Sequence, residues 1–213
     1  HIPVCLSKCP YCDFVSYPQH MLCLSGLDRI AKSLEIEADL ACRVFPDLRG
    51  RTLGSIYFGG GTPSLFPPNR VAQLIRKARE VFKLENLPEI TLECNPLTAE
   101  IEKLSAFRDA GVNRISLGIQ SFREEILHAL ERAHGAREVE EAIVRVQSLG
   151  FDSWGLDLIF GAPGSTLPFW EEDLQKAIAS GAPHISVYGL TLHQGTPMHA
   201  LYKKGLITLP DEE

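Results

Sequence analysis

The sequence lacks the features that mark a membrane protein, a nucleic-acid binder or a disulfide-stabilised secreted domain. No apolar run reaches the roughly 18 residues that a membrane-spanning helix needs. The formal net charge is −6, so the chain has no excess of basic residues for binding nucleic acid. Its six cysteines are few for 213 residues, which argues against a disulfide framework and for a reducing compartment.

The composition that remains is that of an ordinary folded domain. Hydrophobic residues make up 45% of the chain and charged residues 23%, which suffices to build one core. The chain opens on His1 rather than methionine and ends in polar residues after Leu209. We therefore expect residues 1–213 to be one core domain of a longer protein, with the start of the first strand and a C-terminal domain outside it.

Short apolar segments alternate with amphipathic helical patterns, as in repeated βα units. The strand candidates are residues 55–58, 90–94, 114–118, 156–160 and 184–188. Apolar spacing of three and four residues predicts helices over 27–45, 71–82, 101–107, 139–149 and 170–178, with Gly111 and Gly150 as C-terminal caps. The alternation predicts parallel strands joined by right-handed crossovers, in an open barrel or a doubly wound sheet. A closed eight-stranded barrel typically needs ~250 residues, more than this chain offers.

Three cysteines lie close together near the start of the chain. Cys5, Cys9 and Cys12, in the spacing C-x3-C-x2-C, place three thiolates on one short loop. Thiolates are the usual protein ligands of iron–sulfur clusters. Three ligands for four irons would leave one iron free to bind a small molecule through its amine and carboxylate. The alternative is a zinc site in which His1 completes a Cys3His set.

A glycine-rich loop follows the first predicted strand. Gly59, Gly60 and Gly61, with Thr62 and Pro63 behind them, let the backbone approach a ligand closely and offer free amide N–H groups. No Gly-Lys-Ser or Gly-Lys-Thr follows, which excludes a Walker-type phosphate loop. A tight turn without a ligand is the alternative.

Polar residues occur where predicted strands end. Glu93 and Gln120 lie at or just after the ends of two strands, and Asp157 lies inside a third. Because ligands bind at the carboxyl ends of parallel strands, we expect Glu93, Gln120 and the glycine loop to converge on one edge. A buried carboxylate such as Asp157 needs a partner. Arg132 is a candidate partner for an acidic group or a ligand carboxylate, and its alternative is a solvated arginine at a helix end. The alternative for Glu93, Gln120 and Asp157 is a capped or solvated polar residue.

The remaining cysteines and histidines show no metal-binding spacing. Cys23 and Cys42 fall on helical patterns, where we expect them to pack as small apolar groups. Cys94 should face away from its neighbour Glu93, because successive strand residues point to opposite faces. We expect surface or packing roles for His20, His128, His134, His193 and His199.

Taken together, these motifs resemble the radical S-adenosylmethionine (SAM) superfamily. The matching segments are residues 1–14, 57–65, 93–96, 111–122 and 157–164, and the similarity runs over essentially the whole chain. Within the superfamily they are most similar to the group that contains oxygen-independent coproporphyrinogen III oxidase and the radical SAM heme chaperones. The resemblance implies a partial (β/α)6 barrel of parallel strands.

The resemblance also implies the cofactors and their sites. Cys5, Cys9 and Cys12 would hold a [4Fe–4S] cluster, and SAM would chelate its open iron. By match of motif, the SAM pocket would consist of Gly60, Gly61, Thr62, Glu93, Gln120, Arg132 and Asp157. An electron from a donor such as flavodoxin or ferredoxin would then cleave SAM to methionine and a 5′-deoxyadenosyl radical.

Phe14 separates the two branches of this group. The oxidases carry another cysteine two positions after the third, whereas this chain has Phe14 there, as the heme chaperone branch does. The resemblance therefore favours a protein, cytoplasmic or in a eukaryote mitochondrial, that binds heme and delivers it to recipients such as respiratory enzymes. It would meet a membrane only through a recipient. The alternatives are oxidative decarboxylation of a porphyrinogen in heme biosynthesis, and a structural zinc module.

Overall fold

The computed structural model describes residues 1–23 and 25–210, and a sheet of five parallel strands forms its centre. A separate pair of short parallel strands comes first, β1 (Val4–Cys5) and β2 (Tyr17–Pro18). The central strands are β3 (Thr52–Phe58), β4 (Lys83–Cys94), β5 (Arg114–Gln120), β6 (Ser153–Phe160) and β7 (His184–Gly189). All five predicted strands are thereby confirmed.

The order of the strands in the sheet is their order in the chain, β3-β4-β5-β6-β7. Each crossover therefore steps in the same direction. Right-handed crossovers that all step one way place their helices on one face of the sheet. The sheet curls away from these helices into a half-barrel, which decides against the doubly wound alternative. All carboxyl ends of the strands meet at one edge.

Seven α-helices accompany the strands in the described part of the chain. They are α1 (Gly26–Val44), α2 (Pro68–Val81), α3 (Ile101–Asp109), α4 (Glu124–Ala129), α5 (Ala136–Leu149), α6 (Leu167–Ala179) and α7 (Pro197–Lys203). The five predicted helices are confirmed. Gly111, with φ +106°, and Gly150, with φ +63°, follow α3 and α5 in the conformation that ends a helix most easily.

The main core lies between the sheet and the helices. Its fully buried members include Leu92, Leu104, Phe107, Ile115, Leu117, Val139, Val146 and Leu156. These side chains lie in the strands and on the apolar helix faces that the spacing of apolar residues predicts. Ile2 and Val4 join the same core from the start of the chain, which ties the cysteine loop to the sheet.

The structure departs from the sequence-based expectations at several elements. β3 and β4 begin earlier than predicted, at Thr52 and Lys83, where the paired residues are mostly exposed and leave no apolar pattern. The short helices α4 and α7 were not predicted. The expectation for Cys23 is wrong, because this residue precedes α1 and is exposed, whereas Cys42 is buried as expected.

Within the described residues, no helix combines the length and the apolar character needed to cross a bilayer.

Candidate functional site

A cavity of about 400 Å³ opens at the edge where the strands end. It is lined by all ten residues that the motifs select for cofactor binding: Cys5, Cys9, Cys12, Gly60, Gly61, Thr62, Glu93, Gln120, Arg132 and Asp157. These residues come from segments far apart in the chain. Parallel topology brings them together, because it places every strand-to-helix connection at the same edge.

The glycine loop and the cysteine loop are joined through their backbones. Gly61 N–H donates to the carbonyl of Ile2 at 2.8 Å, and Thr62 N–H donates to that of Val4 at 2.6 Å. A Cβ atom on Gly61 would lie 2.4 Å from the Val4 carbonyl oxygen and 2.9 Å from Cys5 Sγ. Only glycine permits this approach, so Gly61 determines how closely the two loops pack.

The three thiols of the cysteine loop are free and part-buried. Cys12 N–H donates to the Cys9 carbonyl at 3.1 Å, which closes a turn between them. Burial raises the pKa of the Cys12 thiol, and a hydrogen bond from the Phe14 backbone opposes this. Among the described residues, no three His, Cys, Asp or Glu side chains form a group able to hold a single metal ion. The donor chemistry, three thiols on one loop facing a cavity, fits an iron–sulfur cluster.

Glu93 connects the glycine loop to the sheet. Its Oε1 accepts a hydrogen bond from the Tyr57 hydroxyl at 2.9 Å, and its Oε2 accepts one from Gly60 N–H at 3.0 Å. Burial raises the pKa of the Glu93 carboxyl, while these two hydrogen bonds lower it. The carboxylate is thus held in place and faces the cavity at the end of β4.

Asp157 finds its partner on the neighbouring strand rather than in Arg132. Ser116 Oγ donates to its two carboxylate oxygens at 3.0 and 3.2 Å. Burial raises the pKa of the Asp157 carboxyl, and hydrogen bonds from Ser186 and Ser116 oppose the rise. The two serines lie on β5 and β7, one on each side of β6, and within the part of the chain that the structure describes no cationic side chain hydrogen-bonds to this carboxylate.

Arg132 reaches the cysteine loop and not an acidic side chain, so the expectation of an acidic partner within the protein is wrong, while that of a ligand carboxylate stays a prediction. Its Nη1 donates to Cys9 Sγ and to the Tyr11 hydroxyl, both at 3.3 Å, and its Nη2 donates to the Gly118 carbonyl at 3.1 Å. Its buried Nε has no partner among the described residues. A guanidinium N–H directed at sulfur suits an anionic sulfur ligand. Arg132 therefore links the thiols to the end of β5.

An unusual helix end positions Arg132. The residue before it, Glu131, has φ +49°, the left-handed conformation that glycine normally supplies after a helix. Arg132 N–H donates to the Leu127 carbonyl and Glu131 N–H to that of His128, both at 2.9 Å. These two bonds end α4 in a Schellman motif and direct the chain toward the cavity.

Gln120 is the last residue of β5 and also has a positive φ, +69°. The pairing of β5 with β6 shifts between Leu117 and Gln120, so the strand bulges at the cavity. The Gln120 side chain folds back over Gly118, where a Cβ atom would lie 3.0 Å from its Nε2. The amide group thus occupies space that a larger residue at position 118 would fill.

Sequence reasoning missed several residues that line or support the cavity. Tyr11 and Tyr57 contact Arg132 and Glu93, and no spacing rule marks them. Ser116 could have been found, because strand alternation puts it on the same face as the predicted site residue Gln120. His193, expected to be a surface or packing residue, lines the cavity with its Nδ1 3.2 Å from Asp13 Oδ2.

His1 and Cys94, the other candidate donors near the cysteine loop, point elsewhere. His1 Nε2 lies 2.8 Å from the Val15 carbonyl oxygen, and the ring lines a separate depression beside Phe14 and Tyr57. Cys94 faces away from Glu93, as predicted, and its sulfur lies 3.8 Å from Thr98 Oγ1 in the core.

Comparison with known proteins gives consistent matches. The sequence profile of the Radical SAM superfamily matches residues 1–178. The chain is 42% identical over 197 residues to "Heme chaperone HemW" of Haemophilus influenzae, an alignment that covers 92% of this chain and 51% of that protein. The protein of the same name from Escherichia coli is 37% identical over 224 residues, covering 100% of this chain and 54% of the relative.

A solved structure matches the whole chain. Coproporphyrinogen III oxidase (HemN) from Escherichia coli, described as a radical SAM enzyme, superposes with a TM-score of 0.83 at 26% identity. The match covers 100% of this chain and 48% of the oxidase. The chain spans about half the length of the curated relatives it matches.

Proposed function

This chain belongs to the radical SAM superfamily, and we propose that residues 1–213 are the cofactor-binding core of a heme chaperone. A radical SAM domain implies a [4Fe–4S] cluster, SAM and an electron donor. The observation that carries the proposal is the convergence of three free thiols and seven candidate SAM contacts on one cavity.

In this proposal Cys5, Cys9 and Cys12 each ligate one iron, and the fourth iron is left for the amine and carboxylate of SAM. Bound in this cavity, the cluster and SAM supply reductive cleavage of the SAM carbon–sulfur bond. The chain holds the thiol loop in position through Gly61 and directs an Arg132 N–H to the Cys9 sulfur.

The two carboxylates complement the positive charges of SAM. Burial raises the pKa of both the Glu93 and the Asp157 carboxyl, because it disfavours their charged forms. A sulfonium or ammonium group near them favours the charged forms and offsets part of that penalty. The cavity is therefore built to gain more from a cationic ligand than from a neutral one.

The choice between heme chaperone and oxidase rests on sequence. Phe14 stands where the oxidases have a further cysteine, and the relatives at 42% and 37% identity are named heme chaperones. Phe14 lines the cavity with 58% of its surface exposed, so no thiol reaches the cavity from that position. We propose that the whole protein binds heme and delivers it to recipient proteins, drawing electrons from a flavodoxin- or ferredoxin-type donor.

A zinc module is the weaker candidate. It needs a fourth ligand beside the three cysteines, and the imidazole of His1 contacts the Val15 carbonyl and lines a different depression. The oxidase remains the serious competitor, because its structure matches the whole chain.

The decisive experiment uses the full-length protein, reconstituted with iron and sulfide without oxygen. We expect four irons per chain, SAM cleavage with a reductant, heme binding, and no conversion of coproporphyrinogen III. Formation of protoporphyrinogen IX would show that the protein is the oxidase and not a chaperone. One zinc per chain, without iron or labile sulfide, would contradict both functions and support the zinc module.

A further inference from the structure

The end of β5 carries a backbone conformation that its sequence does not favour. Gln120 has φ +69°, and Ser121 N–H donates to the Ile119 carbonyl at 2.9 Å, which makes a tight γ-turn centred on Gln120. This turn is strained for any residue with a Cβ atom. Strain of this kind persists only where surrounding contacts hold it.

His134 holds the turn from one side. It is only 3% exposed, and its Nε2 lies 3.0 Å from the Ile119 carbonyl oxygen, the same atom that the turn uses. Burial and the neighbouring Arg132 lower the pKa of His134 to about 4, so the ring is neutral near pH 7. A neutral ring that faces a carbonyl carries its proton on the facing nitrogen, and Nε2 is therefore the donor.

Asp173 holds the turn from the other side. This carboxylate on α6 is also only 3% exposed. Its Oδ2 accepts from Ser121 Oγ at 2.5 Å, and its Oδ1 accepts from Phe122 N–H at 2.9 Å. Because a buried carboxylate is unfavourable unless its oxygens are satisfied, the placement of Asp173 depends on these two bonds. Both go to the two residues directly after Gln120.

The loop that carries His134 also carries Arg132. Arg132 Nη2 donates to the Gly118 carbonyl, and His134 binds the next carbonyl, that of Ile119. Arg132 and His134, from one loop, therefore hydrogen-bond to two consecutive backbone carbonyls at the end of β5. A change in the Gln120 turn would move both the Gln120 side-chain amide and the Gly118 carbonyl that accepts from Arg132.

We propose that His134 and Asp173 are positioning residues that hold the Gln120 turn in its strained form, so that the Gln120 amide faces the SAM cavity before the cofactor binds. The inference rests on the proposed function in one respect, that Gln120 contacts SAM. Neither residue lines the cavity, so each acts through Gln120 rather than on the cofactor.

Two substitutions and one matched control test this. His134→Phe keeps a ring but removes the donor, and Asp173→Ala removes both acceptors. Glu172→Ala alters the adjacent residue on α6, an exposed carboxylate paired with Arg123, and serves as the control. Asp173→Asn, which keeps an acceptor for Phe122 N–H, gives a milder variant in case Asp173→Ala does not fold.

The first readout is amide hydrogen exchange of Ser121 and Phe122 in the full-length, cofactor-free protein. We expect exchange about tenfold faster in His134→Phe and Asp173→Ala, a smaller increase in Asp173→Asn, and no change in Glu172→Ala. Unchanged protection in both principal variants would overturn the inference, whatever the protein does with SAM.

The second readout is the Kd for SAM of the cluster-loaded protein. We expect a rise of about tenfold in each principal variant at unchanged iron content, and little further rise when either is combined with Gln120→Ala. Faster exchange with an unchanged Kd would reduce both residues to a structural role and overturn the inference. If the unsubstituted protein binds no SAM, the proposed function fails, and hydrogen exchange alone decides whether the two residues hold the turn.

Discussion

Two helices that cover the back of the sheet, α3 and α5, are followed by a glycine with positive φ, whereas α4, beside the cavity, is followed by a glutamate. Gly111 and Gly150 take the left-handed conformation after α3 and α5, and Glu131 takes it after α4. Glycine adopts this conformation without strain, but a residue with a Cβ atom is disfavoured there by about 1–2 kcal/mol. The second strained residue, Gln120, also lies at the cavity.

Buried groups differ between the two regions in the same way. The layer behind the sheet is filled with apolar side chains such as Leu104 and Phe107, which are fully buried. The cavity edge contains Glu93 and Asp157, whose pKa values burial raises. The apolar layer behind the sheet thus stabilises the fold. The buried carboxylates at the cavity edge lower its stability, and they are placed to contact a ligand.

The largest expected effect is a difference in cluster binding between variants of Cys9, at the cavity, and Cys94, in the core. Cys9→Ala should abolish the visible absorbance of the reconstituted cluster, because it removes one of three proposed ligands. Cys94→Ala should leave that absorbance intact, because the Cys94 sulfur faces the core. Absorbance and iron analysis after anaerobic reconstitution measure both. Loss of the cluster in Cys94→Ala would show that the ligand assignment is wrong.

The next effect concerns the layer behind the sheet. Phe107→Ala should lower the free energy of unfolding by about 3–5 kcal/mol, because it leaves a cavity in the core. Ile101→Ala, on the same helix but with Ile101 42% exposed, should cost much less. Urea denaturation measures both. The Kd for SAM of the folded protein should not change, and a large change would contradict the division of roles between the two regions.

A smaller effect is expected at the cavity edge. Asp157→Asn should raise the free energy of unfolding of the cofactor-free chain by about 0.5–2 kcal/mol at pH 7, a common gain when a binding site is neutralised. The pKa of Asp157 is higher in the folded than in the unfolded chain, so its charge destabilises the fold as pH rises. The gain should therefore shrink as pH falls toward the unfolded pKa of ~3.9.

Urea denaturation between pH 4 and pH 7 measures this gain, with the exposed residue change Glu171→Gln as control. The same Asp157→Asn protein should bind SAM more weakly. A gain of equal size at every pH would show that the charge of Asp157 is not its cause.

The smallest effect compares helix ends. Glu131→Gly should raise the free energy of unfolding by up to about 1 kcal/mol, and Gly150→Ala should lower it by about 1–2 kcal/mol. Both positions have positive φ, and a Cβ atom on Gly150 meets nothing within 4 Å, so Gly150→Ala reports the backbone alone. Thermal denaturation of the two variants measures it. Equal signs would mean that the two helix ends do not differ in strain.

Much of the fold follows from local patterns in the sequence. The apolar stripes of α2 and α5 and the strand cores of β5 and β6 are visible in the chain, because burial on one face imposes a period. The exposed starts of β3 and β4 carry no such period and were missed. α7 could have been found from Thr196 and Pro197, since Thr196 Oγ1 caps the helix and proline follows it.

The sequence predicts which residues form the candidate site, but it does not predict which of them contact each other. All ten selected residues reach one cavity, because parallel strands end at one edge. The partner of Asp157 proved to be Ser116, and Arg132 proved to contact Cys9. Such contacts depend on distances of a few ångströms between segments far apart in the chain, which spacing rules do not describe.

The sequence alone determined the parallel α/β architecture, the thiol loop and the residues that gather at the strand ends. These follow from periodicity and from residue chemistry, both of which are local. Only the tertiary structure decided that Gln120 and Glu131 adopt left-handed conformations, and that His134 and Asp173 meet at one turn. Such backbone states are unfavourable locally, so no local rule predicts them, and contacts made across the fold maintain them.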